Sequence, residues 1–566
     1  MFPRLLFAVC LLALPLCAEE WVEFNTPVMS RGGTGVSLGR GATGAYYNPA
    51  NAARRPWEPD ITELQFDIPA HFSAGLQGQS YRWMFDTVKF ANDLFDRFKD
   101  GAFESGGGIE SDDLIFAMRV IDRLDKLSTF NGDGLYTTAG AGIGARWGNL
   151  LLPRDGLSAY VGGFNIAAAS PYVDLDSLRG YRLTDEAAAG WEQLIGEAII
   201  NSGGSATPST PAGQQFSADL QAAGYSAASA DALAKWAEDG GVNLKGKAGS
   251  VLLDFLINTL NGTGQSLESG ANPLEGNNSG FVIRGIAWYE IGFSYGFALP
   301  IVGISDLLSV GATVRLMQAY VFSELLRIQD MNKNGVEDTL NRLGNKVADA
   351  YRLDADAARF NVGFDLGVTI TPWDTLAISI AGRNINGPEF RWKPSAAGEP
   401  RLIRFDPQFR AGVSYVAFYD AGLPLSFALE MDLNRTASDI MPTYHQQFVR
   451  GAIAFEPDFG IFGFGLRVGG FTNIGDTQES FVLTAGLGFR LWVFRLDLGA
   501  HMGLETRNFG TSDDYEPVPQ RAGVSAQIGL HFSWGGGEPK PDVSPKAPKT
   551  KTPAGSKPAP AKAPSK

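Results

Sequence analysis

The chain has 566 residues and a formal charge of -14, with 69 glycines, 37 phenylalanines and 11 tryptophans. The acidic balance, with lysines gathered beyond Trp534, argues against nucleic acid as the main partner. After the first twenty or so residues no run of about 18 apolar residues supplies a membrane-crossing helix, and the glycine and aromatic load suits the other way through a bilayer, a closed β-barrel.

Residues 1–18 read as a secretory signal peptide: Arg4, an apolar run from Leu5 to Leu16, then Cys17-Ala18 ahead of Glu19-Glu20. Cleavage is expected after Ala18, with lipidation at Cys17 as the alternative. Both cysteines, Cys10 and Cys17, lie in this segment, so cleavage after Ala18 leaves no thiol for disulfides, metal ligation or nucleophilic catalysis.

Residues 19–56 carry the glycine-rich stretch "RGGTGVSLGRGATGAYYNPANAARR" from Arg31 to Arg55. It has the glycine density of a phosphate loop but lacks the strand before it, the helix after it and the later acidic residue of a dinucleotide site. Glycines also let a chain bend tightly in a cramped space such as a barrel lumen. Gly32, Gly33, Gly35, Tyr46, Tyr47, Asn48, Pro49 and Ala50 are the residues of this stretch that stand out as candidates.

Residues 57–534 alternate in the way a transmembrane strand must, one face toward lipid and the other toward the lumen. In "VFRLDLGAHMGLE", Phe494, Leu496, Leu498, Ala500, Met502 and Leu504 oppose Arg495, Asp497, Gly499, His501, Gly503 and Glu505. A soluble sandwich would show a Lys- and Glu-rich outer face where this pattern shows Gly, Ala and Ser. The fold expected is all-β, a transmembrane antiparallel barrel of fourteen strands near 61–68, 136–147, 157–168, 280–298, 307–323, 359–371, 374–384, 403–416, 424–434, 446–456, 461–473, 480–491, 493–504 and 522–534. Long connections alternate with tight turns, which puts both barrel ends on the periplasmic side. The same alternation points Asp365, Glu430, Asp432, Arg450, Arg467, Arg490, Arg495 and Asp497 into the lumen. There they would line a polar path, grip an N-terminal plug, or neutralise one another across adjacent strands.

Residues 81–98 and 111–127 have helical periodicity and would form partly helical outer loops. The insert 170–278 combines an amphipathic piece near Trp191 to Ile200, a Gly/Ser/Thr/Pro linker at 202–213 and two further helical stretches, expected as a surface cap. In "DMNKNGVEDTLN", Asp330, Asn332, Asn334 and Asp338 follow the early spacing of a calcium loop around Gly335, but Asn341 stands where the bidentate glutamate belongs; calcium and an ordinary Asx-rich turn both fit. The tail 535–566, rich in proline and lysine, cannot bury a core and is expected to be disordered in the periplasm, where it would meet cell wall or envelope proteins or act as a spacer. The four histidines, His71, His445, His501 and His531, fall in no metal or triad motif, and no Gly-x-Ser-x-Gly turn is present. An enzyme is therefore not expected, and no cofactor beyond calcium is.

The stretch "SRGGTGVSLGRGATGAYYNPANAA", behind a signal peptide and ahead of a barrel pattern, resembles the N-terminal segment of the FadL-like outer-membrane transporter family. With "GRNINGPEF" at Gly382, "DPQFRAGVSY" at Asp406 and "ALEMDLNRT" at Ala428 in order, it looks most like the branch named after the conjugal transfer protein TraF. The insert and the basic tail depart from that pattern, and the tail moves the terminal aromatic Trp534 away from the chain end. The resemblance implies a barrel of the same strand count with a luminal hatch, in outer-membrane lipid, passing hydrophobic small molecules such as fatty acids from the outer loops into the barrel and then the membrane. The expected function is passive uptake of such a molecule. The alternative is an interaction protein that supports secretion, conjugation or surface assembly.

Overall fold

The computed structural model describes residues 22–53, 62–77, 134–151, 154–182, 207–266, 277–299, 307–327, 359–373, 375–391, 402–441, 444–476, 479–511 and 514–534. The expected signal peptide, the outer helices at 81–98 and 111–127, the piece near Trp191, the calcium motif at Asp330 to Asn341 and the tail lie outside the described residues.

Fourteen strands close into one barrel. They are β1 (Thr62–Gln77), β2 (Gly134–Gly148), β3 (Gly156–Tyr172), β4 (Gly280–Ala298), β5 (Leu308–Arg327), β6 (Arg359–Trp373), β7 (Leu376–Arg383), β8 (Gln408–Ala417), β9 (Leu425–Asp432), β10 (Phe448–Phe455), β11 (Phe462–Asn473), β12 (Val482–Leu491), β13 (Phe494–Gly503) and β14 (Arg521–Trp534). Each pairs antiparallel with its sequence neighbours, and β1 closes on β14 in a register that runs from Thr62 opposite Trp534 to Gly75 opposite Arg521. Closure matters because a lipid-facing sheet has no water to satisfy a free edge.

The alternation of the sequence becomes two unlike surfaces. Along β6, Phe364, Leu366, Val368 and Ile370 face outward, with Leu366 55% exposed, while Asp365 and Thr369 between them are buried. An apolar surface repeated on every strand is far larger than a water-soluble protein tolerates, and it matches hydrocarbon. Trp147, Trp373, Phe418, Phe459 and Trp492 stand exposed beside the short turns, Trp492 at 74%. Their amphipathic rings suit the interface at that rim. Both barrel ends reach the same rim, as Thr62 opposite Trp534 requires.

The wall is uneven in height. β4 and β5 have 19 and 20 residues, whereas β7, β9 and β10 have 8 each. At about 3.3 Å per residue and about 40° of tilt, β5 rises about 50 Å and β7 about 20 Å, against an apolar band of about 25 Å. One side of the barrel therefore stands well above the membrane and the other ends near its surface.

Two strand boundaries differ by five residues or more from the sequence expectation. β1 continues past Ile68 to Gln77, and Pro69, which reads as a stop for lack of an N–H, stays in register opposite Gln527 of β14. β8 begins at Gln408, not near 403, because Leu402–Arg404 pairs with Glu389–Arg391 in a separate hairpin. Between hairpin and barrel strand, Asn434 holds the bend, its side chain donating to Pro407 O at 2.8 Å and accepting from Phe409 N at 2.8 Å.

The insert contains three described helices, α2 (Pro211–Ala223), α3 (Ala227–Asp239) and α4 (Lys247–Asn261). The end of the expected linker is thus helical: Thr210 caps α2 by accepting from Gly213 N at 3.0 Å, Pro211 occupies the first turn, and Gly224, at φ 114°, closes it. Phe216, Leu220, Leu233, Ala234, Leu252 and Leu256 form a core belonging to these helices alone. Arg179 ties the bundle to the chain leaving β3, donating to Ser250 Oγ at 2.7 Å and Asp254 at 2.5 Å, while Asn258 donates to the Arg179 carbonyl at 2.9 Å.

Candidate functional site: the lumen and the segment inside it

Residues Val22 to Ala53 lie inside the barrel, almost all buried. The segment has one short helix, α1 (Thr26–Met29), which Asn25 caps by accepting from Val28 N at 3.0 Å. Single 3-10 turns follow at Gly44–Tyr46 and Pro49–Ala52, the second capped by Asn48, which accepts from Ala50 N at 3.0 Å. Gly32 and Gly33 turn the chain behind α1 with φ of 66° and 81°, a region costly for residues with a Cβ. A Cβ on Gly32 would also stand 2.7 Å from Gly470 O of the wall.

So little regular structure leaves the segment's backbone needing partners, and a buried amide or carbonyl without one is costly. Turns within the segment supply some, such as Gly39 N to Gly35 O at 2.9 Å and Asn51 N to Asn48 O at 2.8 Å, and the barrel supplies others. Glu430 of β9 accepts from Val36 N at 3.2 Å, from Ser37 N at 2.7 Å and from Ser37 Oγ at 2.7 Å. Asp67 accepts from Ala42 N at 2.8 Å, and Thr484 accepts from Gly32 N at 2.9 Å. Arg383 donates to Tyr46 O at 3.3 Å, and Arg146 to Ala52 O at 3.1 Å. The wall also makes room: a Cβ on Gly296 or Gly469 would lie within 2.7 Å of Pro49 O or 2.6 Å of the Arg31 carbonyl carbon. The wall glycines therefore let segment backbone lie directly against strand backbone.

Three ion networks brace the same wall. Arg315 sits between Asp365, at 2.9 Å, and Glu290, at 3.0 Å, and Arg383 reaches Glu290 at 3.1 Å. Asp432 holds Arg410 at 2.7 Å and Arg450 at 2.9 Å. Arg467 bridges Glu456, at 2.7 Å, and Asp497, at 2.8 Å; Arg495 joins Asp497 at 2.7 Å, and Arg31 of the segment approaches Glu456 at 3.4 Å.

Of the charges expected inside, Asp365, Glu430, Asp432, Arg450, Arg467 and Asp497 are buried in the lumen, and Arg495 is partly so. Arg490 instead pairs with Asp458 and the Gly460 carbonyl at the short-turn rim. The sequence reading missed Glu290, Arg315, Arg383 and Arg410, although each occupies an inward position of its strand and period-two counting would have found them. Glu456 lies in a turn, where alternation says nothing. Of the expected hatch residues, Tyr46, Tyr47, Asn48, Pro49 and Ala50 are buried against β4 to β7, and Gly35 lies beneath the Tyr47 ring.

The centre of the lumen is apolar and aromatic. Ring centroids follow one another from Tyr47 to Tyr46 at 5.1 Å, Phe24 at 5.1 Å, Phe164 at 5.1 Å, Trp288 at 5.3 Å, Phe405 at 5.0 Å and Phe390 at 5.4 Å. Phe390 and Ile403 come from the hairpin found between β7 and β8, which folds inward so that both are fully buried. The polar ends of the rings are satisfied: Trp288 donates to Glu290 at 3.1 Å, Tyr46 donates to Val22 O at 2.9 Å, and Tyr47 accepts from Phe24 N at 2.7 Å. Each edge or offset contact adds to simple area burial. Beside this column, between the segment and the loop carrying Met441 and Tyr444, lies a cavity of about 70 Å³.

Among the described residues no helix is long and apolar enough to cross a membrane, and no group of three or more His, Cys, Asp or Glu side chains is placed to hold a metal ion.

The family model described as "F plasmid transfer operon, TraF, protein" matches residues 45–432. Solved structures similar to this chain include a Pseudomonas aeruginosa FadL homologue, at 10% identity with 91% of this chain and 99% of that one covered and a TM-score of 0.39. The Ralstonia pickettii toluene transporter TbuX and the Pseudomonas putida toluene transporter TodX each align at 10% identity over 91% of this chain and 99% of theirs, with TM-scores of 0.36. No curated protein is significantly similar in sequence.

Proposed function

The chain belongs to the family described as the F plasmid transfer operon TraF protein, and from that premise we propose that it is an outer-membrane channel for passive uptake of small hydrophobic molecules, with residues 22–53 as its hatch. The observation that carries this reading is the row of rings from Phe390 to Tyr47, which links the hairpin between β7 and β8 to the luminal segment. A barrel braced only by its ion networks needs no such row, whereas an apolar solute leaving water gains about 25 cal/mol for each Å² it buries along one. The direction of movement would follow concentration alone, since nothing in this reading couples the path to an energy source. The cavity of about 70 Å³ is small beside ligand pockets of about 300–1,000 Å³, so the segment or the inward loops must shift for passage.

Proteoliposomes holding the folded barrel should take up toluene or a fatty acid faster than empty liposomes. Equal rates with a correctly folded barrel would sink the proposal.

A second reading draws on the helical insert, whose core is independent of the barrel. In it the protein anchors a secretion or surface assembly, and the tail at 535–566 contacts the envelope. Pull-downs from membranes with full-length protein, and with forms lacking 207–266 or 535–566, test it; an unchanged set of partners in both deletions would remove it.

A further inference from the structure

The cavity beside the aromatic column is not lined as a hydrocarbon site would be. Val22, Met29, Ile166, Met441, Tyr136 and Phe471 give it an apolar body. Gln408, His71 and His501 also line it, and Gln408 Oε1, His71 Nδ1 and His501 Nδ1 are buried atoms without a hydrogen-bond partner among the described residues. Gln408 and His501 are each only 7% exposed. Their other polar atoms are engaged, Gln408 Nε2 with Thr436 Oγ1 at 3.3 Å and His501 Nε2 with Ser73 Oγ at 2.9 Å, which holds the unmatched atoms in place. A buried acceptor left unmatched costs about 1–3 kcal/mol, and a bare hydrocarbon returns none of it.

The charged groups at the cavity are already matched. Arg521 is bound to Glu479 at 2.8 Å and lies over the Phe471 ring at 5.0 Å, while Arg410 and Arg450 share Asp432 and also face Glu23, the carboxylate of the segment that lines the cavity. No surplus cation waits for an acid, so an ionised ligand would enter without a counter-ion and lose its hydration. The room available, about 70 Å³, accommodates about half a dozen water-sized groups.

We infer that this cavity is a binding site for a small uncharged molecule with an apolar body and a hydroxyl group, of the phenol or short-alcohol class. The hydroxyl donates to Gln408 Oε1 or to one imidazole nitrogen and accepts from the other ring when that ring's tautomer carries a proton there. The inference rests on the reading of the lumen as a ligand path and names the chemistry of one station on it.

Phenol and toluene have the same shape, a hydroxyl in one standing for a methyl in the other, and they separate the two chemistries. Titration calorimetry on the full-length protein in detergent should show phenol binding about tenfold more tightly than toluene, the difference one buried hydrogen bond makes. Gln408→Leu and His501→Leu should each bring that ratio toward one, mainly by weakening phenol. Toluene binding as tightly as phenol to the unaltered protein, or neither probe binding because the cavity holds water only, would overturn the inference, and so would variants that weaken both probes equally. If a variant does not fold, the ratio in the unaltered protein decides alone. Toluene uptake by proteoliposomes without phenol preference removes this inference and leaves the channel; phenol preference without uptake removes the channel and leaves the site.

Discussion

The luminal segment and the helical insert are two described parts of the chain that are not barrel wall, and they are stabilised in different ways. The insert buries Phe216, Leu220, Leu233 and Leu256 against one another and caps its own helices with Thr210 and Ser226. The segment at 22–53 has one helix of four residues; tight turns such as Gly39 N to Gly35 O satisfy part of its backbone, and other amides and carbonyls end on Glu430, Asp67, Thr484, Arg383 and Arg146 of the wall. A segment that borrows part of its hydrogen bonds is fixed only with the surface that lends them, whereas a bundle with its own core tolerates change in the barrel. That difference is what would let one element act as a gate while the other acts as a cap.

The largest break in the comparison comes from deleting Ser30 to Ala50. The barrel, whose strand pairing does not involve these residues, should still insert and show heat-modifiable mobility. Liposome swelling should then show permeation by small hydrophilic solutes that the intact protein excludes; a sealed deletion form would end the hatch reading.

Arg315→Met comes next. It leaves Glu290 and Asp365 facing each other in the lumen without the guanidinium between them, and breaking a buried pair in this way costs about 3–5 kcal/mol. Denaturant unfolding in detergent should show that loss, together with faster proteolysis of the segment, because Glu290 also holds the Arg383 that grips Tyr46 O.

Leu220→Ala, in a fully buried position of the insert, should cost about 2–5 kcal/mol of the helical bundle's stability. Hydrogen exchange should speed up across α2 to α4 and stay unchanged in 22–53. Equal acceleration in both regions would show that they are one cooperative unit and void the contrast.

The smallest effect is a pH dependence confined to the insert. Desolvation raises the pKa of Glu238, but hydrogen bonds from Thr210 and Ser209, including Thr210 N at 2.8 Å and Ser209 N at 2.9 Å, outweigh it and hold the carboxyl down at about 2. A carboxylate depressed in the folded state stabilises above its ordinary pKa near 4.5 and loses that contribution as pH falls through the folded value. Between pH 4.5 and 2 the start of α2 should therefore loosen, seen as faster exchange at Gly213 and its neighbours. Glu238→Gln should abolish that dependence.

Much of the barrel is legible in the sequence, because a lipid-facing strand must alternate and a one-residue slip would put Asp497 and Glu430 into hydrocarbon. The tight turns were legible for the same reason, as gaps between alternating runs. The extension of β1 through Pro69 was not, since a proline removes a local donor and only pairing on both sides shows that the strand continues. The hairpin at Glu389–Arg391 and Leu402–Arg404 was missed because a short alternating run looks the same whether it joins the wall or folds inward. Of the candidate site, the glycine-rich stretch stood out by composition, yet its wall partners Arg383, Arg410 and Glu430 are far from it in sequence.

By itself the sequence determined the period of two, the side of each strand that meets lipid and the glycine-rich segment's need for a confined place, all consequences of local geometry and solvation. Only the tertiary structure decided which carboxylate neutralises which arginine, that Glu430 and Asp67 are spent on the segment's amides, and that Phe390 joins the ring column. Those pairings depend on strand register and closure, which join neighbouring strands at Arg315 and Asp365 and bring Ser37 and Glu430 together across 393 positions, and which alternation alone does not encode.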